Sequence, residues 1–154
     1  MSHIAQVSLR VTDLDSLRKA CDHFGYEFRE GQTTYTWYGT HEGVADGEEG
    51  GKCVHAIRAK DFSDKAQDYE VGIIKNSDGS YSLVYDGFDW GGEGNPLGGG
   101  KLEAAFGKDL ARLKAEYGAI VAAKDMASRL TGYGYYIETT REANGYPKVR
   151  AYKP

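Results

Sequence analysis

The run Tyr69-Glu70-Val71-Gly72-Ile73-Ile74-Lys75, then Asn76-Ser77-Asp78-Gly79, then Ser80-Tyr81-Ser82-Leu83-Val84-Tyr85 decides the fold class. Two stretches rich in β-branched and aromatic residues flank four residues that suit a tight turn with positive φ, and this combination predicts a β-hairpin. Hairpins build antiparallel sheets, so the rest of the chain is read as what such a sheet needs around it. Ile4 to Val11 alternates, with Ala5, Val7, Leu9 and Val11 on one face and Gln6, Ser8 and Arg10 on the other, which predicts a half-buried strand. Tyr26 to Arg29 and Thr33 to Tyr38 flank Glu30-Gly31 and are expected to pair across that turn. Cys53 to Ala59 suits another strand, and Tyr133 to Thr140 with Lys148 to Lys153 a last hairpin around Asn144-Gly145.

Two segments carry helical periodicity instead. Leu14, Leu17, Cys21 and Phe24 recur on one face between a capping residue, Thr12 or Asp13, and the stop residue Gly25. From Lys101 to about Leu130, Leu102, Phe106, Leu110, Leu113, Tyr117, Ile120 and Val121 trace a stripe at helical spacing. A single helix of that length would reach about 45 Å, longer than the domain, so a break near Gly118 or Ser128 is expected. The expected fold is a single α+β domain over residues 1–154: an antiparallel sheet of hairpins packed against one short and one long helix.

Composition adds one anomaly. The 154 residues include 21 glycines, about twice ordinary usage, beside 3 prolines. The excess is local: five glycines lie in Gly39 to Gly51 with four carboxylates (Glu42, Asp46, Glu48, Glu49) and no basic residue, and five more lie between Gly91 and Gly99, with Gly100 at the helix start. Both stretches read as loops. Net charge is −4, the wrong sign for a protein devoted to polyanions, yet residues 1–100 sum to −8 and residues 101–154 to +4. The opening residues lack a cationic segment leading into an apolar run, and nowhere do 18 apolar residues stand together, so a soluble, cytoplasmic protein with no membrane partner is expected. Cys21 and Cys53 form no Cys-x-x-Cys pair and read as free thiols of a reducing compartment.

Motifs that carry chemistry are missing. Ahead of Gly100-Lys101, Asn95 stands where a phosphate loop has its first glycine, and Leu102 stands where it has a hydroxyl. Gly92-Glu93-Gly94 is followed three residues later by Leu97, which breaks the dinucleotide pattern. His3, His23, His41 and His55 are scattered, so a metal would have to be assembled in three dimensions, for instance by His41 and His55. No nucleophile elbow is present. Neither a cofactor, a metal nor a catalytic residue is therefore assigned.

Two constellations remain. Aromatic residues border both glycine-rich loops, and Trp37, Tyr38, His41, Asp86, Asp89 and Trp90 are the candidate binding residues of a small non-enzymatic interaction or accessory protein whose partner is another protein. Alternatively, Lys101, Arg141, Lys148 and Arg150 would hold a nucleotide, an anion or a single-stranded nucleic acid, because Arg141, Lys148, Arg150 and Lys153 mingle with Tyr133, Tyr135, Tyr136, Tyr146 and Tyr152 in the C-terminal hairpin. The third expectation is a hydrolase or nuclease whose site the sequence does not display.

The opening Met1-Ser2-His3-Ile4, the segment Asp13-Leu14-Asp15-Ser16-Leu17, Val71-Gly72-Ile73, and Asn76 to Asp86, followed by the long helix and closing hairpin, resemble the uncharacterised conserved chloroplast open-reading-frame family of algal plastids and cyanobacteria, which also has bacterial and bacteriophage members. The resemblance spans most of the chain through turns and strand alternation. It implies an α+β domain without an assigned activity, and the two glycine-rich loops depart from it.

Overall fold

The computed structural model describes residues 4–37, 53–63, 68–89, 91–92 and 94–154. The hairpin read first lies at the centre of a five-stranded sheet. β4 (Val71–Lys75) and β5 (Tyr81–Asp86) pair antiparallel with Gly72 opposite Val84 and Ile73 opposite Leu83. Their turn closes through Asn76 N–H donating to the Ser80 carbonyl at 2.8 Å. β1 (Ile4–Val11) adds outside β5, β3 (His55–Ala59) outside β4, and β2 (Tyr26–Glu30) forms the far edge, giving the order β1-β5-β4-β3-β2.

One sheet face carries the main core. Val7, Val11, Tyr26, Ile57, Val71, Ile73, Leu83 and Tyr85 pack against Leu17, Ala20 and Cys21 of α1 (Leu14–His23), Leu102 and Phe106 of α2 (Gly99–Phe106), Leu110, and Leu113 and Tyr117 of α3 (Ala111–Leu130). The fold is α+β, as expected, but the sequence-based plan needs two corrections.

The first concerns residues 33–38. β2 pairs with β3, Phe28 opposite Ile57, and not with the segment that follows it. Residues 33–37 instead cross the second sheet face, where Tyr35 and Trp37 pack with Ala56 and Val84 in a smaller cluster. Alternation of large rings is the same signal for a strand as for a strap that drops every second ring into a core. Burying two such rings outweighs an edge ladder, because each removes 150–250 Å2 from water.

The second concerns the long helix. It divides at Gly107–Leu110 into α2 and α3, upstream of both expected positions, so the described residues form three α-helices rather than two. Gly107 stands at φ +83°, and Asp109 and Leu110 both stand at φ +56°. Left-handed backbone costs a non-glycine residue roughly 1–2 kcal/mol. The fully buried Leu110 side chain recovers about 1.5–3 kcal/mol. The Tyr85 hydroxyl also holds the kink, accepting from Asp109 N–H at 3.1 Å and donating to Glu103 Oε2 at 2.8 Å. Gly118 lies inside α3 with open space around it, so nothing there requires a break.

α1 starts at Asp13, whose carboxylate accepts from Ser16 N–H at 3.1 Å, Ser16 Oγ at 2.8 Å and Lys124 Nζ at 2.9 Å. The Tyr117 hydroxyl accepts from the amides of Thr12 and Asp13 and so ties the same corner to α3. Lys124 and then Ser16 hold the Asp13 carboxyl down at about 2. Asp13→Ala is expected to cost about 1 kcal/mol of stability. Because the folded carboxyl titrates lower than the unfolded one, the difference between the two proteins should be complete above about pH 4 and vanish as pH falls toward about 2. Urea unfolding at stepped pH measures it.

The C-terminal hairpin stands apart from the sheet. Among the described residues β6 (Tyr136–Arg141) and β7 (Pro147–Tyr152) pair only with each other, and they lie along α3. From Gly118 to the C-terminus no residue is buried.

Candidate functional site

The residues proposed at the loop borders have other occupations. Trp37 is 9% exposed and belongs to the second core, as does the fully buried Tyr35. Tyr38, His41 and Trp90 lie outside the described residues. Asp86 is fully buried, and its Oδ1 accepts from Phe88 N–H at 2.9 Å. Asp89 turns into its own loop: Oδ1 accepts from the amides of Gly91 at 2.9 Å, Gly92 at 3.0 Å and Leu97 at 3.4 Å. Converging glycine amides near a helix start form a natural anion cradle. Here the chain supplies the anion itself. The signal was present in the sequence, since an aspartate two and three residues ahead of glycines is a local amide acceptor.

His55 is structural. Its Nδ1 accepts from Gly31 N–H at 2.9 Å and its ring packs against Phe28 and Tyr81. Among the described residues no three His, Cys, Asp or Glu side chains gather as a metal site. Cys21 is fully buried in the main core, and Cys53 is half-buried with Sγ donating to the Gln32 carbonyl. Burial pushes each thiol up to about 12, well away from a nucleophile's range.

The basic candidates divide. Lys101 is clamped, with Nζ 2.8 Å from the buried Asp68 and 3.5 Å from Asp61. Burial works against its charge, but Asp68 and Asp61 prevail and hold the ammonium above its usual range. Arg141 fastens the hairpin to α3: NH1 and NH2 donate to the two carboxylate oxygens of Glu116 at 2.7 and 2.9 Å. His23, at the end of α1, lies beside the same pair.

Lys148 and Arg150 are different, and the register shows why. Tyr136 faces Tyr152, Glu138 faces Arg150, and Thr140 faces Lys148. These pairs form the outer surface, since the intervening Ile137, Val149 and Ala151 are half-buried on the side where Arg141 reaches α3. The rings of Tyr136 and Tyr152 stack with centroids 5.8 Å apart and planes at 28°. The Arg150 guanidinium sits 5.1 Å from the Tyr152 centroid, and its Nε donates to Glu138 Oε2 at 2.6 Å. Tyr133, Tyr136 and Tyr152 are the large apolar side chains most open to solvent among the described residues, at 74%, 58% and 39% exposure. The sequence displayed this mixture of tyrosine and cation. It did not display which members share a face, because that depends on a cross-strand register.

No family model, no curated protein and no solved structure matches the chain. No helix among the described residues is long and apolar enough to cross a membrane.

Proposed function

We propose that the protein is a non-catalytic binding module that holds a macromolecular partner on the outer face of its C-terminal hairpin. One observation carries the reading: Tyr133, Tyr136 and Tyr152, the exposed large apolar residues among those described, all lie in a stretch of chain that buries no residue of its own. Exposed tyrosines grouped with an arginine are the composition of a recognition surface, since each offers a large rigid area at small entropic cost. Among the described aromatic residues near the glycine-rich loops, Tyr35, Trp37 and Tyr85 are committed to packing and Phe88 is half-buried.

The test compares immobilised wild type with the Tyr136→Ser/Tyr152→Ser variant for the material each retains from a lysate, intact and after nuclease treatment. Both side chains are exposed, so thermal unfolding should coincide for the two proteins. Retention by wild type that the variant loses is expected. Equal retention by both overturns the reading.

A further inference from the structure

We infer that the partner held on this face is single-stranded nucleic acid, an inference that rests on the hairpin's outer surface being the binding face. The chemistry of that surface favours this class over another protein. Its outward residues are Tyr136, Glu138 and Thr140 on one strand and Tyr152, Arg150 and Lys148 on the other, with no aliphatic side chain among them. The aliphatic Ile137, Val149 and Ala151 face the other way. An obligate protein interface has a largely apolar centre, and this surface has no aliphatic side chain to form one. It supplies aromatic faces and cations in successive rungs about 6.7 Å apart, the arrangement that stacks bases and tracks a backbone.

Charge points the same way. The part of the chain from residue 101 onward sums to +4 and the part before it to −8, so the net positive charge lies in the part of the chain that carries this face. The tyrosine rings need bases that are out of a duplex, which selects single strands. Glu138 is the opposing group: it orients Arg150 by its hydrogen bond and offsets its charge. Removing that carboxylate therefore has an effect of the opposite sign to removing any other member of the face.

Fluorescence anisotropy with a labelled oligothymidylate of about 20 nucleotides tests the inference. Wild type should bind, and two phosphate contacts predict a loss of about sevenfold between about 50 and 200 mM salt. Tyr136→Ala and Tyr152→Ala should each weaken binding about fivefold or more. Lys148→Gln/Arg150→Gln should flatten the salt dependence, and Glu138→Gln should tighten binding. Duplex of the same length should compete poorly. Absence of oligonucleotide binding at low salt overturns the inference. So does binding that poly-glutamate displaces equally well and that ignores both tyrosine substitutions, which identifies an acidic protein as the partner. If the double serine variant loses lysate retention while the oligonucleotide fails to bind, the binding face stands and its occupant is not nucleic acid.

Discussion

Gly72→Ala is expected to destabilise the protein by about 3 kcal/mol and to lower the melting temperature by about 9 °C, although a methyl group is the smallest addition possible. Gly72 lies in β4 between Ala56 of β3 and Val84 of β5, and a Cβ there would stand 2.5 Å from Cδ1 and 2.7 Å from Cε1 of Tyr35. Those atoms belong to a fully buried ring, so the strap of residues 33–37 has to lift. The gain from replacing glycine in a strand, about 0.5–1 kcal/mol, does not cover that cost. Urea unfolding measures the loss, and a double-mutant cycle identifies its origin. In a Tyr35→Ala background the clash is gone, and Gly72→Ala should then be neutral or stabilising. A neutral Gly72→Ala in the wild-type background would mean that the strap does not lie where it is described.

Arg141→Ala should act locally. Glu116 has a side chain only 7% exposed, and both its carboxylate oxygens depend on Arg141. Losing one partner of a well-buried pair costs 3–5 kcal/mol. The Arg141 side chain is 38% exposed, and water screening brings the expectation to about 2 kcal/mol. The hairpin buries no residue of its own, so the loss should appear as undocking rather than global unfolding. Amide protection in β6 and β7 should fall about thirtyfold while the main sheet keeps its protection, as read by hydrogen exchange.

Acid should have the same effect on wild type. The Arg141 hydrogen bonds hold the Glu116 carboxyl below its usual range against the opposing effect of burial, and the charges of His23 and Arg141 add to them. A lowered folded value means that the contribution is present above the ordinary carboxylate range and is lost as pH falls through the folded value. Hairpin protection should therefore decline below about pH 4. In Arg141→Ala this acid sensitivity should be lost, because the pair that acid breaks is already gone and His23 of α1 remains beside Glu116.

What the sequence disclosed follows from the range of the signals. β1, α1 and the β4–β5 hairpin stand close to where alternation, capping and turn residues put them, since each is specified by neighbours in the chain. β2 finding β3 instead of residues 33–38, and Tyr35 lying over Gly72, depend on contacts between distant segments. The kink at Asp109 and Leu110 uses backbone angles those residues rarely adopt, and only the core position of Leu110 explains them. At the candidate site the residue types were readable, but the separation of Tyr136, Arg150 and Lys148 from Ile137 and Val149 had to come from the register.

The hydrogen bond from Cys53 N–H to the Thr33 carbonyl, at 3.0 Å, joins two residues of opposite flanks of the acidic glycine-rich stretch. Thr33 and Cys53 are thus held together whatever the length of sequence between them, and the sheet's registers are set without reference to that length. Each doubling of such an intervening length adds only about 0.6 kcal/mol of closure entropy. Descendants of this chain can therefore lengthen, shorten or exchange that stretch freely, while Gly72 and the strap above it stay fixed.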